Sequence, residues 1–536
     1  MSWQQRSDGR EAAWRRAGLW TGRTIADDAR LLAGRDPSRI SFVDEAGTAT
    51  TIGALLDEAE ALAAALHDLG CRAGDAISFM LPNWVEAAVI NLAAAIGGFV
   101  INPIVPIYRE AETGFILRDC GAKVLFVASS RHGFDHVAMA VALQAGLPAL
   151  RHVVTVRSAT QGTMDYRALV DSGRGRGDGS GRTDPDAVKM ILYTSGTTGR
   201  PKGVLHNHHT LARAIAASSA AWEIGFGTTV LMPSPVTHVS GYSNGLERPL
   251  LEGARTILME RWDAPTAVAL IDRHAVAMTV AATPFLAELT RAAAQAGSRL
   301  PSLRVFACGG AAVPPVIIED ANRALAGAPA FRVYGSSEAP FVTLGFPGRD
   351  QAELAATSDG RILDYDVRLL TDDGGIADDG AEGEIAVSGP ALFRGYADPT
   401  QNDDAFTPDG YFLTGDLGRR VADGGLVITG RKKDLIIRGG ENISAFEIEQ
   451  ALLLHPAIAD VAVVAMPHAR LGEGVCAMVV TAAGVAPVDI AELAMWLGAQ
   501  GMARQKYPER VMILDALPRT ASGKVRKDLL RDAARA

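Results

Sequence analysis

The chain has 536 residues, 48% of them apolar, and a formal net charge of −9. That length exceeds one ordinary domain and predicts two or more, each with its own core. The acidic balance argues against a nucleic-acid partner, which calls for a basic face, and four widely spaced cysteines without a C-x-x-C pair read as reduced thiols of a cytoplasmic protein.

Residues 1–20 are polar and charged, with no apolar core, so they do not read as a secretory signal. Residues 24–35 predict a helix and 40–44 a strand. Thr51 opens a long Ala/Leu helix to residue 69, with apolar residues at three- and four-residue spacing. Gly74-Asp75 turns into a strand over 76–81, and Pro82-Asn83 precedes a helix around 86–95. Residues 87–104 are apolar enough in length for a membrane span. Asn91, Asn102, the Gly97-Gly98 pair and Pro103 interrupt them, so a buried helix and strand are expected, with no stable membrane insertion. Strands at 124–127 and 153–156 continue an alternation that predicts parallel sheet covered by helices. Residues 172–185, rich in Gly, Arg and Asp, predict a solvated, mobile loop.

A short apolar run at 188–193 predicts a buried strand that leads into Thr194-Ser195-Gly196-Thr197-Thr198-Gly199-Arg200-Pro201-Lys202-Gly203. Glycines let the backbone approach a ligand closely. Successive N–H groups then make a concave anion site, to which the hydroxyls and Lys202 add donors, as a triphosphate requires. It is not the usual P-loop, because Pro201 precedes the lysine and Gly203 follows it. Residues 204–222 read as a helix, with His206, His208 and His209 in a surface turn rather than a metal site. Beyond about residue 350 the pattern changes. Residues 360–430 alternate short apolar strands with Asp/Gly turns, as in a small barrel or meander. From Asp434 a compact α+β unit is expected, with a Ser444/Glu447 capping box opening a helix over 445–454 and strands at 458–466, 475–481 and 510–514.

Several segments carry chemistry. Tyr334-Gly335-Ser336-Ser337-Glu338 follows a strand, where ligands of parallel sheets sit. Tyr334 offers a flat face for a base, and Glu338 a hard oxygen suited to Mg2+. Asp416 beside Gly415 can accept ribose hydroxyls, although a plain hairpin turn would look the same. Arg431-Lys432-Lys433 reads as a charged linker, Gly439-Gly440 permits close backbone approach, and Lys524 stands in a Ser/Gly loop.

In their order and spacing these segments resemble the motifs of the adenylate-forming superfamily of acyl-CoA synthetases, peptide-synthetase adenylation domains and luciferases. The resemblance implies an α/β protein. Residues 1–430 would be an AMP-binding domain of helix-covered sheets with a β-rich subdomain, 431–433 a hinge, and 434–536 a small mobile α+β lid. It implies that Thr194, Ser195, Gly196, Thr197, Thr198, Gly199 and Lys202 hold the ATP phosphates. Gly310, Ala311, Ala312, Tyr334, Gly335, Ser336 and Ser337 would lie along the nucleotide. The family has Thr at the Ser337 position, and serine keeps the hydroxyl. Thr194 and Glu338 would serve Mg2+, Asp416 the ribose, Arg431 the nucleotide, Lys433 the hinge, and Gly439 and Gly440 the CoA channel. Lys524 would be the catalytic lysine, bridging the substrate carboxylate and the α-phosphate.

His238 matches a gate beside the reacting carboxylate, and Val239, Ser240, Gly241, Ser243 and Ala339 an acyl pocket. Residues 233–245 contain no acidic side chain to pair an α-ammonium in a partly dry pocket, so amino acids are disfavoured. The narrower likeness is to bacterial ligases for short- and medium-chain fatty or cyclohexanecarboxylic acids. The implied reaction joins a carboxylic acid to CoA with ATP, giving AMP and pyrophosphate through an acyl-adenylate. The alternative is an acyl-AMP ligase that loads a separate carrier protein. Homodimers are common in the family.

Overall fold

A computed structural model describes residues 3–7, 9–129, 133–176, 183–194, 201–310, 313–519 and 525–535. Two seven-stranded sheets form most of the N-terminal part. The first runs, in spatial order, Ala330–Arg332, Val305–Cys308, Met278–Ala281, Thr229–Met232, Arg255–Leu258, Ile40–Val43 and Ala49–Thr51. It is parallel except for the last, antiparallel pair. The second runs Met164–Asp165, His152–Val156, Val124–Ala128, Ala76–Met80, Val100–Pro103, Val188–Thr194 and Lys202–Asn207. Its strands read as unbroken apolar runs because helices cover parallel sheets on both faces.

The apolar stretch is a helix, Val85–Gly97, buried from Glu86 to Gly97 and closed by Gly98 at φ 69. A helix that is apolar all round must be packed all round. This one lies against helix Ile52–Asp68, which Thr51 caps, against strands of the second sheet and against the turn Tyr242–Glu247. Among the described residues no helix is long and apolar enough to cross a membrane. The four cysteines are buried and unpaired.

Residues 202–207 are strand, so the helix expected from residue 204 is absent over 204–207. Val204 and Leu205 are buried opposite Leu192 and Ile191, so burial on a sheet overrides a pattern that fits either structure. The helix begins only at His208, where the Asn207 side chain accepts from Thr210 N. His206, His208 and His209 are therefore buried, not in a surface turn.

Residues 366–431 form an open antiparallel meander of four strands, Asp366–Leu370, Gly383–Ser388, Phe412–Val421 and Gly425–Arg431. The C-terminal unit has its own five-stranded sheet and core around Ile436, Ile448, Val463 and Val479. Its helix Ala445–Leu452 has half of the expected capping box. Ser444 Oγ accepts from Glu447 N at 3.3 Å, while the Glu447 carboxylate binds Lys506 Nζ at 2.6 and 2.7 Å instead.

The N-terminal arm crosses the larger part like a strap. Trp3 Nε1 donates to Gly74 O at 3.0 Å, Arg10 to Ser388 Oγ at 2.9 Å and Trp20 Nε1 to Pro390 O at 2.9 Å. Arg394 pairs with Glu11 at 2.6 Å.

Candidate active site

The strands Val188–Thr194 and Lys202–Asn207 are a hairpin, and Thr194 pairs directly with Lys202. Both ends of the glycine-rich loop thus stand side by side at one edge of the second sheet. Ser195, Gly196, Thr197, Thr198 and Gly199 lie outside the described residues. Lys202 Nζ sits 4.7 Å from the centre of the Tyr396 ring, a cation–π distance. The Tyr396 hydroxyl donates to Glu338 Oε1 at 3.1 Å. One buried tyrosine therefore brings the lysine of the loop and the carboxylate of the Tyr334–Glu338 segment together. Burial and the Glu338 charge push the Tyr396 hydroxyl pKa up, so it stays a donor. Sequence reasoning missed Tyr396; its signal was the dense aromatic run with Phe393, Phe406 and Phe412.

Two backbone bonds fix the 334–338 segment. Phe393 N donates to Glu338 O at 2.8 Å, and His206 Nε2 to Ser337 O at 2.7 Å. A Cβ on Gly335 would stand 2.6 Å from Phe341 N, so the turn has room only for glycine. Ser336 Oγ accepts from Ala339 N at 3.1 Å, and Ala339 is buried.

Beside it, Asp416 and Arg431 face each other across neighbouring strands and pair at 2.7 Å. Tyr334 OH donates to the other Asp416 oxygen at 2.8 Å. The Asp416 charge and burial raise the Tyr334 hydroxyl pKa, and Asp416 in turn holds the Arg431 guanidinium firmly charged. A buried, doubly bonded carboxylate next to a tyrosine face can accept sugar hydroxyls below a stacked base. Gly310, at φ 86, lies two residues past the neighbouring strand Val305–Cys308; Ala311 and Ala312 lie outside the described residues.

The 233–245 segment is a tight wall. His238 opens a single turn, Val239–Gly241, followed by a wide π-turn, Tyr242–Glu247. Such turns recur at functional sites. A Cβ on Gly241 would stand 2.1 Å from Pro235 O. The Ser243 hydroxyl is buried without a partner among the described residues, while Ser240 is half-buried. Glu247, an acid just past the wall, is neutralised by Lys189 in a fully buried pair.

Glu338 offers one carboxylate and Thr194 one hydroxyl. That donor set suits Mg2+, which takes one or two carboxylates and completes its shell with substrate phosphates and water. Among the described residues no group of three or more His, Cys, Asp or Glu side chains could cage a metal by itself.

Lys433 lies in a short turn whose carbonyl accepts from Arg531 at 3.2 Å. Gly439 and Gly440, at φ 63 and 91, make the two-residue turn of a hairpin inside the C-terminal sheet. Gly439 N donates to Leu471 O at 2.8 Å, within the C-terminal unit. Lys524 lies outside the described residues. Arg526, just after it, is bound to Asp528 and feels Glu112 of helix Glu110–Asp119, which brings this end of the C-terminal unit close to the N-terminal part.

The buried histidines give the fold a defined acid limit. Burial depresses His206 and His209 to about 4, with Lys189 adding to the effect at His206 and Asp186 opposing it at His209. His208 is lowered further below its usual range. An unfolded chain takes up these protons near pH 6.5, whereas the folded one refuses them until about 4. Stability is therefore complete above about pH 6.5 and falls as pH drops toward 4, by about 1.4 kcal/mol per pH unit for each histidine. Thermal midpoints measured between pH 7.5 and 4.5 should show this fall, and His206→Gln should make it shallower. An unchanged slope in that variant would remove His206 from the account.

Residues 31–397 match the AMP-binding enzyme family, and residues 447–524 match the AMP-binding enzyme C-terminal domain. The chain is 34% identical to the medium-chain fatty-acid–CoA ligase of Escherichia coli, over 97% of this chain and 92% of the relative. It is 36% identical to the salicyl-AMP ligase / salicyl-S-ArCP synthetase of Mycobacterium tuberculosis, over the same shares. The crystal structure of ATP-bound MatB from Rhodopseudomonas palustris superposes with a TM-score of 0.83 at 27% identity, over 95% of this chain and 99% of that one.

Proposed function

This chain belongs to the AMP-binding enzyme family and is an acid–thiol ligase, and on that premise we propose that it converts a medium-chain fatty or alicyclic acid, ATP and CoA to acyl-CoA, AMP and pyrophosphate. The observation that carries this reading is the convergence of Lys202 and Glu338 on Tyr396, with the Tyr334–Asp416–Arg431 cluster alongside. The first group suits the β- and γ-phosphates, the second the ribose and base. The hydroxyls and N–H groups of residues 194–199 complete the phosphate cradle. Glu338 and Thr194 would hold Mg2+, which would offset phosphate charge.

The substrate carboxylate enters along His238, Val239, Ser240, Gly241, Ser243 and Ala339 and attacks the α-phosphorus. Pyrophosphate leaves, and Lys524 stabilises the charge that builds on the transferred phosphoryl oxygens. The C-terminal lid, residues 434–536, then turns about Lys433 within the hinge 431–433, withdrawing Lys524. CoA reaches the acyl-adenylate past Gly439 and Gly440; its thiol attacks the acyl carbon and AMP departs. The acid class rests on two supports. One relative is named for medium-chain fatty acids. The acid nearest the wall, Glu247, is already paired with Lys189 and so offers nothing to an α-ammonium. We place the enzyme in the cytoplasm.

Pyrophosphate release with Mg·ATP, measured from acetate to palmitate and with cyclohexanecarboxylate, benzoate and amino acids, tests the reading. Sustained release that needs CoA and peaks at medium-chain or alicyclic acids is expected. A single burst that CoA cannot prolong would point instead to loading of a separate carrier protein. Turnover of amino acids alone would overturn the acid class.

A further inference from the structure

The proposed site draws on three sheets: the phosphate loop comes from the second, the acid wall and the Tyr334–Glu338 segment from the first, and Asp416 and Arg431 from the meander. Asn83 ties the second sheet to the start of the wall, as the Lys189–Glu247 pair ties it to the π-turn. Asn83 follows Pro82 at the end of the strand Ala76–Met80 in the second sheet, and it is 6% exposed. Its Nδ2 donates to Met232 O at 3.1 Å, Ser234 O at 3.0 Å and Met259 O at 3.0 Å. Its Oδ1 accepts from Val236 N at 2.9 Å. Three carbonyls on one side and one N–H on the other permit a single orientation of the amide.

All four partners are main-chain groups at the end of the first sheet or in the wall that follows it. Met232 and Met259 mark the ends of two adjacent strands, and Ser234 and Val236 begin the wall. From there the wall has no slack. Ser234 Oγ donates to Val280 O at 2.9 Å, His238 N to Pro235 O at 3.0 Å and Tyr242 N to His238 O at 2.7 Å. A shift at Val236 therefore carries through to His238 and the π-turn. Adenylation needs a carboxylate oxygen held within about 3–3.5 Å of the phosphorus it attacks, and the two are held by different sheets.

We propose that Asn83 is a positioning residue that sets the spacing between the acid wall and the nucleotide loop; the inference rests on the acid-activating reading above. Its amide is the shape and polarity the place requires. Aspartate would set a carboxylate against three carbonyls, and alanine would take the partner from Ser234 O, Met259 O and Val236 N, while Met232 O would keep its bond from Met259 N.

The test compares Asn83→Ala, Asn83→Asp and Ser234→Ala with the full-length wild-type enzyme. Pyrophosphate release is followed with octanoate varied at saturating ATP, then with ATP varied at saturating octanoate. The Asn83 variants should lose about 10²-fold in kcat/KM for octanoate, with the ATP KM within about twofold of wild type. Ser234→Ala, which cuts the opposite anchor of the same wall, should show a smaller loss of the same kind. Thr51→Ala, a helix-cap variant in the same domain, lowers stability by about 1 kcal/mol and should leave both KM values unchanged. An unchanged kcat/KM for octanoate, or an ATP KM that moves by more than about twofold, in a folded Asn83 variant overturns the proposal. If the Asn83 variants do not fold, an unchanged kcat/KM for octanoate in Ser234→Ala overturns it. A wild-type enzyme that activates no acid on the panel removes both the functional reading and this inference. A wild-type enzyme active on acids beside an indifferent Asn83→Ala removes this inference alone.

Discussion

Lys189→Met is expected to destabilise the N-terminal domain by about 3–5 kcal/mol, read as a lower urea midpoint. Lys189 lies on the strand that leads into the glycine-rich loop and is 3% exposed, while Glu247 in the π-turn is 1% exposed. Asn91 Nδ2 also donates to Glu247 at 3.3 Å, and the Tyr242 hydroxyl donates to Asn91. Burial lowers the Lys189 pKa and Glu247 opposes that drop. Removing the ammonium strands a carboxylate in a dry interior, and that strands far more free energy than the pair contributes. The double variant Lys189→Met with Glu247→Leu should therefore recover most of the loss, because two apolar side chains of similar volume replace both charges. A double variant no more stable than the single one would show that the pair is not the source of the effect.

Asp416→Ala should raise the ATP KM roughly 100-fold, since hydrogen bonds to a charged acceptor contribute about 1.5–3 kcal/mol each. The carboxylate is buried, and Tyr334 and Arg431 hold its two oxygens in place, so little ordering remains to be done when a ribose arrives. The substitution also strands Arg431 beside the empty position, which adds to the loss. Substrate trimming separates the ribose contact from general damage. The wild-type enzyme should discriminate strongly between ATP and 2′-deoxy-ATP, and Asp416→Ala should treat them nearly alike. Equal discrimination by both enzymes would place the ribose elsewhere.

Elements set by local rules were legible in the sequence. Thr51 caps the helix it was expected to open. The Gly97-Gly98 pair and Pro103 divide the most apolar stretch into a buried helix and a strand, as their backbone preferences dictate. What escaped was non-local. The run Val204-Leu205-His206-Asn207 fits a helix or a strand, and only pairing with residues 188–194 decides it. That same pairing buries three histidines whose polarity alone suggested a surface. Glu447 fits a capping box until Lys506, distant in sequence, takes its carboxylate. Tyr396 and Asn83 gain their places from contacts with sheets built far away in the chain, which no local pattern records. The expected nucleotide residues Tyr334, Asp416, Arg431, Lys202 and Glu338 lie in two linked clusters: Lys202 and Arg431 stand at the ends of their strands, Tyr334 and Glu338 stand in the loop after one, and Asp416 lies within the strand that pairs with Arg431.

The N-terminal strap has a consequence for biosynthesis. The carbonyl that Trp20 binds, on Pro390, is made 370 residues after it. At about 5–20 residues per second the interval is roughly 20–70 s. Throughout it Trp20, buried in the finished protein, lacks its Pro390 partner, and until residue 209 is made it also lacks the His209 ring on which it stacks. Nascent chains of this enzyme therefore carry an aromatic segment that is fully covered only once the chain around Pro390 has been made. Slowing translation beyond residue 400 should leave that covering intact, whereas a pause before residue 388 should prolong exposure and increase aggregation.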